Sequence, residues 1–417
     1  MNDRIDKPKV DLLITNAAEV LTCAESADDV VGRIAGGAVA VAGERIVAVG
    51  PTAEVVASVD AADARVIDAA GRAVAPGFVD CHTHVVFGGS RAAECAARLT
   101  MSPEQVAAMG IPTGIVATME MTRPESVESL VASAAARLDG MFRAGTTTVE
   151  SKSGYGLSTA DELKMLQVNA RLAETHAVDI VSTFLGAHAV GPGMTREDYV
   201  DLVVREMIPQ AADSGLAEYC DVFCEAGYFD VDQSRRILQA GMDAGLAAKI
   251  HVDEYSDIGG GAMAAELGAV SADHLNFTPP ETLRRMAERG VVGVVMPALD
   301  FAVAHPRPFD AAAMLAEGMT LALATDICPG CWCESMQVVM QLACRRHGMT
   351  PREALRAATL HAARALERND DRGSLEVGKL ADIQIWNVST LDEAICRIGG
   401  NVVETVIRRG RVHEFGG

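Results

Sequence analysis

Eight apolar runs of strand length, each followed by a stretch rich in helix formers, constrain the fold of this chain more than any other feature. They are GFVDCHTHVV (77–86), TTTVESKSGYG (146–156), DIVSTFLGAHAV (179–190), YCDVFCEAGYF (219–229), AAKIHVDEY (247–255), AVSADHLNF (269–277), GVVGVVMPAL (290–299) and MTLALATDIC (319–328). Near-continuous apolar runs suit strands buried on both faces, and the Ala-, Leu-, Glu- and Arg-rich stretches between them suit crossover helices. Eight such units are what closes a (β/α)8 barrel. The stretch 158–176 opens on a Ser or Thr cap with acidic residues in its first turn, as a helix start should.

Shorter strand-like segments flank these runs. VDLLITNAAEVLT, GAVAVAGERIVAVG and ARVIDAAGRAVAPG precede the first run, and GSLEVGKLADIQIWNV and VVETVIRRGRVHEF follow the last. "AGE" reads as a turn between two alternating strands. The expected organisation is a barrel over 76–365 and a small β-sandwich domain built from both chain ends, 1–75 and 366–417. A chain of 417 residues accommodates both.

The charge balance narrows the partners. With 36 Lys and Arg against 57 Asp and Glu, the formal charge is −21, and no basic run is dense enough to track a phosphate backbone. Nucleic acid and anionic membrane surfaces are therefore excluded as expected partners. No stretch reaches membrane-spanning length without charges, and the first twenty residues lack the pattern of a secretory signal. Ten cysteines scattered through a large apolar chain suit reduced thiols, so the cytoplasm is the expected compartment.

In an α/β barrel the active face lies at the carboxyl ends of the strands, and the polar residues that interrupt the apolar runs fall there. His82 and His84, two apart, point to the same side and can reach one ion. A lone pair of this kind is about as often a polar strand edge, but this one follows APGFVD at the junction of the two expected domains. His251 ends the fifth run and Asp326 the eighth, where a carboxylate after LALAT needs a partner to offset its burial. Three histidines and one carboxylate at one end of a barrel form an N3O set suited to one divalent ion, Zn2+ or Fe2+, with room for a water. Such an ion makes hydroxide available near neutral pH and polarises a carbonyl. Glu254, three residues beyond His251, is the candidate proton carrier, and His274 the candidate that orients water or stabilises an oxyanion. Its neighbour Asp273 is expected to point the other way and to be structural. Cysteines 328, 331 and 333 follow Asp326 closely, yet the ligand set is complete without them.

With these residues in place, the chain resembles the amidohydrolase superfamily, and within it the imidazolonepropionase branch. PGFVDCHTHVVFGGSR, HVDEYSDIGG, SADHL, ALATD and GSLEVGKLADI match the superfamily in order, while VESKSGYGL, TFLGAHAV and DVFCE are specific to the branch. The resemblance implies metal binding by His82, His84, His251 and Asp326, and acid/base roles for Glu254 and His274. It further implies a substrate shell of Arg91, Tyr155 and His188, in which a guanidinium fork and a phenol suit a propionate carboxylate. The reaction implied is hydrolysis of a cyclic amide C–N bond, opening 4-imidazolone-5-propanoate to N-formimino-L-glutamate. A homodimer is implied as well. Lys152 invites comparison with the carbamylated lysine of two-metal relatives, but its place on the second run favours a single ion.

Two departures stand out. Cys81 occupies a position where the family usually has proline, and Ile327-Cys328-Pro329-Gly330-Cys331-Trp332-Cys333 replaces a Phe-Asn-Pro-Gly pattern. Cys328, Gly330 and Trp332 are expected at the substrate rim, where sulfur in place of an amide alters which ring is accepted. The alternatives are a paralogue acting on a modified imidazolone, hydantoin or thiohydantoin with a carboxylate tail, a superfamily deaminase, or a non-enzymatic barrel whose cysteine-rich loop binds metal or senses redox state.

Overall fold

The computed structural model describes residues 7–25 and 29–415; residues 1–6, 26–28 and 416–417 of the expected end domain lie outside the described residues. Each of the eight apolar runs contains a strand: Phe78–Asp80, Thr146–Lys152, Asp179–Ala187, Tyr219–Cys224, Ala247–Val252, Ser271–His274, Val292–Val295 and Thr320–Leu323. They lie side by side in chain order as one eight-stranded sheet, all pairs parallel, with helices between successive strands. The strands are shorter than the runs. The surplus residues leave the ladder at the carboxyl ends and carry most of the polar groups.

The sheet closes just beyond the ends of its first and last strands. Asp326 N donates to His82 O at 3.2 Å and His84 N to Ile327 O at 2.9 Å. Beneath them the buried Asp80 carboxylate accepts from Thr325 N at 3.1 Å and from Thr325 Oγ1 at 2.6 Å. His82, His84 and Asp326 therefore sit on the seam of the barrel. His82 and His84 lie past the end of the first strand, not within it, while keeping its two-residue alternation.

The barrel interior is charged at its carboxyl end. Glu150, Lys152, Asp221, Lys249 and Asp273 are all fully buried there, where barrels usually stack branched apolar residues. Parallel register sets the layer, placing Lys152 beside Thr183, and His251 beside both Phe223 and Asp273.

The chain ends build two further sheets. One has four strands in the order Arg45–Pro51, Gly37–Ala42, Leu12–Thr15, Arg65–Asp68; the other has six, Arg411–Glu414, Val403–Arg408, Ile383–Trp386, Ala73–Pro76, Glu19–Leu21, Arg33–Ala35. Ile14, Val39 and Val41 of the first meet Val74, Ile383, Ile385 and Ile407 of the second in one core, as in a sandwich. On the far face of the six-stranded sheet, Trp386 and Val406 join the core that holds Phe78 of the barrel. The strand Arg33–Ala35 and the helix Thr52–Ser58 were not foreseen from the sequence. The helix sets Val55 against Leu13, Ala38 and Ala40, so a short apolar stripe covers the outer face of the small sheet. The foreseen helix is Thr159–Thr175, capped by Ser158, whose side chain accepts from Asp161 N. Among the described residues, no helix is long and apolar enough to cross a membrane.

Candidate active site

Four side chains from three places in the barrel converge. Asp326 Oδ1 lies 3.6 Å from both His82 Nε2 and His84 Nε2, and the rings of His82 and His251 are 4.5 Å apart. Asp326 reaches this position with φ +49°, a left-handed turn that lifts its carboxylate out of the strand direction. His82 Nε2, His251 Nε2 and His274 Nε2 are buried and have no hydrogen-bond partner. An unpartnered buried polar atom costs about 1–3 kcal/mol, so several converging on one volume call for a shared partner. Burial holds His82 and His84 well below the usual imidazole range, leaving neutral rings with free lone pairs, and pushes Asp326 up, with Glu254 adding to the shift. Neutral imidazoles beside a carboxylate that lacks a cation fit a divalent ion. The donor atoms of His82, His84 and Asp326 lie within 4.8 Å of one another, as do those of His82, His251 and His274, and of His84, His188 and His251.

A second layer fixes two of the rings. His82 Nδ1 donates to Asp273 Oδ2 at 2.6 Å, and His251 Nδ1 to Asp221 Oδ2 at 3.0 Å, which turns both Nε2 atoms toward the centre. The expectation that Asp273 points away from the site is overturned. Strict alternation fails where the sixth strand ends, because His274 and Leu275 take φ +81° and +63°. His274 thus turns into the cavity while Asp273, hydrogen-bonded by Ser271 Oγ at 2.7 Å, stays in the barrel interior. Asp221 was missed outright, although a carboxylate inside YCDVFC was itself a signal of a buried partner. Lys152 is an ammonium between three carboxylates, 2.7 Å from Asp221 and 2.9 Å from Glu150.

Above this centre lies a cavity of about 160 Å³. His84, His188, His251, His274 and Asp326 line it on the barrel side, and Tyr155, Phe223, Tyr228 and Tyr255 supply aromatic walls. Glu254 also lines it, 3.9 Å from His274 Nε2, and burial raises its carboxyl to about 7. Burial lowers His274 to about 3, so its ring is neutral. His188 stacks on His84 with ring centroids 4.9 Å apart and donates from Nδ1 to Gly154 O at 3.2 Å. Tyr155 is buried and its phenol is pushed well up by burial, with Cys328 and Asp326 adding, so it remains a neutral donor.

Arg91, Cys328 and Gly330 also line the cavity. The Arg91 fork is not free on all sides: Nε and Nη2 bind Glu94 at 2.6 and 2.9 Å. Its terminal edge faces Gly330, where an added Cβ would sit 3.5 Å from Nη2. Glu94 also binds Arg98 at 2.8 Å, so this corner keeps a net positive charge. Trp332 departs from expectation. It is 52 % exposed, its Nε1 donates to Glu334 at 2.8 Å, its ring meets Phe87 edge-on at 5.4 Å, and it does not line the cavity. The loop turns at Cys328 and Cys331, whose backbones bond each other, and this swings residue 332 outward.

The amidohydrolase family profile matches residues 73–413, and a profile for a bacterial imidazolonepropionase-like composite domain matches residues 37–58. An imidazolonepropionase of Symbiobacterium thermophilum is 48 % identical over 415 residues, covering 97 % of each chain. The chain belongs to the imidazolonepropionase family of amidohydrolases. Family relatives from Geobacillus kaustophilus (47 % identical, 91 % of each chain) and Halobacterium salinarum (44 % identical, 98 % of this chain and 99 % of the relative) show the same full-length likeness. Solved structures outside the imidazolonepropionases share the fold. A zinc-bound adenosine deaminase from Xanthomonas campestris superposes with a TM-score of 0.70 at 21 % identity, covering 97 % of this chain and 93 % of its own. A triazine hydrolase variant superposes at 0.72 with 18 % identity, covering 96 % and 94 %.

Proposed function

We propose that the chain hydrolyses 4-imidazolone-5-propanoate to N-formimino-L-glutamate, using one Zn2+ or Fe2+ held by His82, His84, His251 and Asp326. The observation that carries this reading is the cavity itself, which joins that ligand set to a cationic corner at Arg91 within about 160 Å³ in a chain nearly half identical to imidazolonepropionases.

When bound, the ion supplies Lewis acidity and lowers the pKa of water. The chain's own groups do the rest. The terminal edge of Arg91 and the Tyr155 hydroxyl hold the propanoate tail, which brings the ring carbonyl over the histidines. Glu254, ionised above about pH 7, takes the proton from the attacking water and gives it to the ring nitrogen as the carbonyl C–N bond breaks. His274, neutral, donates to the carbonyl oxygen as charge develops, while neutral His188, whose Nδ1–H is held by Gly154 O, offers its Nε2 lone pair to a ring N–H. Phe223, Leu299 and Val303 exclude bulk water from the same space.

A second reading rests on Cys328. It lines the cavity where the family pattern carries asparagine, and it favours a modified ring, such as a hydantoin or thiohydantoin bearing the same tail. Comparing kcat/KM for imidazolone-propanoate with that for these rings decides between the two. A value orders of magnitude below another ring's rejects the first reading. The cytoplasmic location expected from the sequence and the homodimer implied by the resemblance belong to the same proposal; ten free cysteines support the reducing compartment.

A further inference from the structure

The second barrel strand carries Lys152 into the charged layer beneath the ligand set, where its ammonium is fully buried. Nζ lies 2.7 Å from Asp221 Oδ2, 2.9 Å from Glu150 Oε1 and 3.4 Å from Asp273 Oδ2. Asp221 holds the His251 ring and Asp273 the His82 ring, each at Nδ1. A single ammonium on one strand therefore touches the outer partners of two imidazoles carried by two other parts of the barrel.

We infer that Lys152 is a positioning residue that sets the affinity of this centre for its metal ion by holding Asp221 and Asp273 in place against His251 and His82. The inference rests on the reading that those two histidines are ligands. Asp221 and Asp273 approach each other closely, since oxygens of both lie within 4.8 Å of one another and of His251. Two buried carboxylates at that range repel, and without an intervening cation they move apart. That movement loosens an Nδ1–H bond that fixes a ring's tautomer and direction. Burial works against the charge on Lys152, but Asp221, Glu150 and Asp273 outweigh it, so the amine stays protonated.

Lys249 provides the control. It is equally buried and lies in the same layer, but its Nζ pairs with Glu150 Oε2 at 3.1 Å and with the carbonyl oxygens of Cys81 and Ala365, touching neither aspartate. Both lysines support the barrel; of the two, Lys152 is the one in direct contact with the carboxylates that hold the ligand rings.

The test measures Zn2+ affinity by competition with a chromophoric chelator, alongside thermal unfolding of the metal-free protein, for wild type, Lys152→Met and Lys249→Met. Lys152→Met should bind zinc about 10–100-fold more weakly, the cost typical of losing an outer-shell partner. Lys249→Met should lose thermal stability with zinc affinity unchanged. Wild-type affinity in folded Lys152→Met, or equal losses in the two variants, overturns the inference. If Lys152→Met alone does not fold, Lys152→Met/Asp273→Asn, which removes one charge of each sign, is compared with Asp273→Asn. Weaker zinc binding by the double variant supports the inference, because Asp221 has lost its cation, and equal binding overturns it. A wild-type chain that binds no zinc rejects the ligand assignment, and the inference with it.

Discussion

Glu254 is lifted to about 7 by burial beside His274, which places its ionisation within the working range of an enzyme. Its carboxylate form, the one able to accept a proton from water, is gained as pH rises through about 7. kcat/KM should therefore climb with pH up to an inflection near 7, and Glu254→Gln should abolish that inflection and lower kcat by about 10²–10⁴. Arg91 acts at the other end of the substrate. Since Glu94 already occupies its Nε edge, the remaining edge supplies the contact to the tail. Arg91→Met should raise KM about ten- to a hundredfold with kcat little changed, the signature of binding shared by ground and transition states. Cys328→Asn should move the ratio of kcat/KM values toward the unmodified imidazolone. Single residues were also where the sequence was easiest to misread. Asp273 looked structural because strand alternation was extended one residue too far, and Trp332 looked like a rim residue because the turn joining Cys328 to Cys331 has no counterpart in hydropathy.

At the scale of elements, the barrel's closing seam does the most to shape the site. The hydrogen bonds between the His82–His84 segment and the Asp326–Ile327 segment set the spacing of three ligands, and Thr325 locks that seam through both oxygens of Asp80. Thr325→Val removes one donor from a buried carboxylate and should cost about 1–3 kcal/mol. A lower Tm and weaker metal binding should appear together in this variant, read by calorimetry and chelator competition. The strands themselves were legible because parallel strands buried on both faces write continuous apolar runs, and eight of them appear in order. Their ends were not: the sixth strand stops at His274 and the fifth just before Asp253, where φ turns positive, and no periodicity announces that. The short strand Arg33–Ala35 and the helix Thr52–Ser58 escaped for a different reason. Each is too brief to show a period, and tertiary contacts decide its state.

The whole molecule couples two bodies through one sheet. Ala73–Pro76 pairs with Ile383–Trp386 and runs at once into Phe78, so the first barrel strand and the histidines after it are anchored by both chain ends. What stayed hidden at this scale was the charged interior. Glu150, Lys152, Asp221, Lys249 and Asp273 come from four strands, and only closure brings them together. Spacing along the chain placed His82, His84, His251 and Asp326 at one end of the barrel; the carboxylates that aim two of those rings follow from register between strands. The central claim is that this one quartet holds the ion that drives ring hydrolysis. Its most direct test is kcat/KM for 4-imidazolone-5-propanoate, with metal content measured alongside, in wild type and Asp326→Ala. The account predicts about one ion per wild-type chain and a loss of at least about a hundredfold in the variant. Undiminished turnover by Asp326→Ala would contradict it.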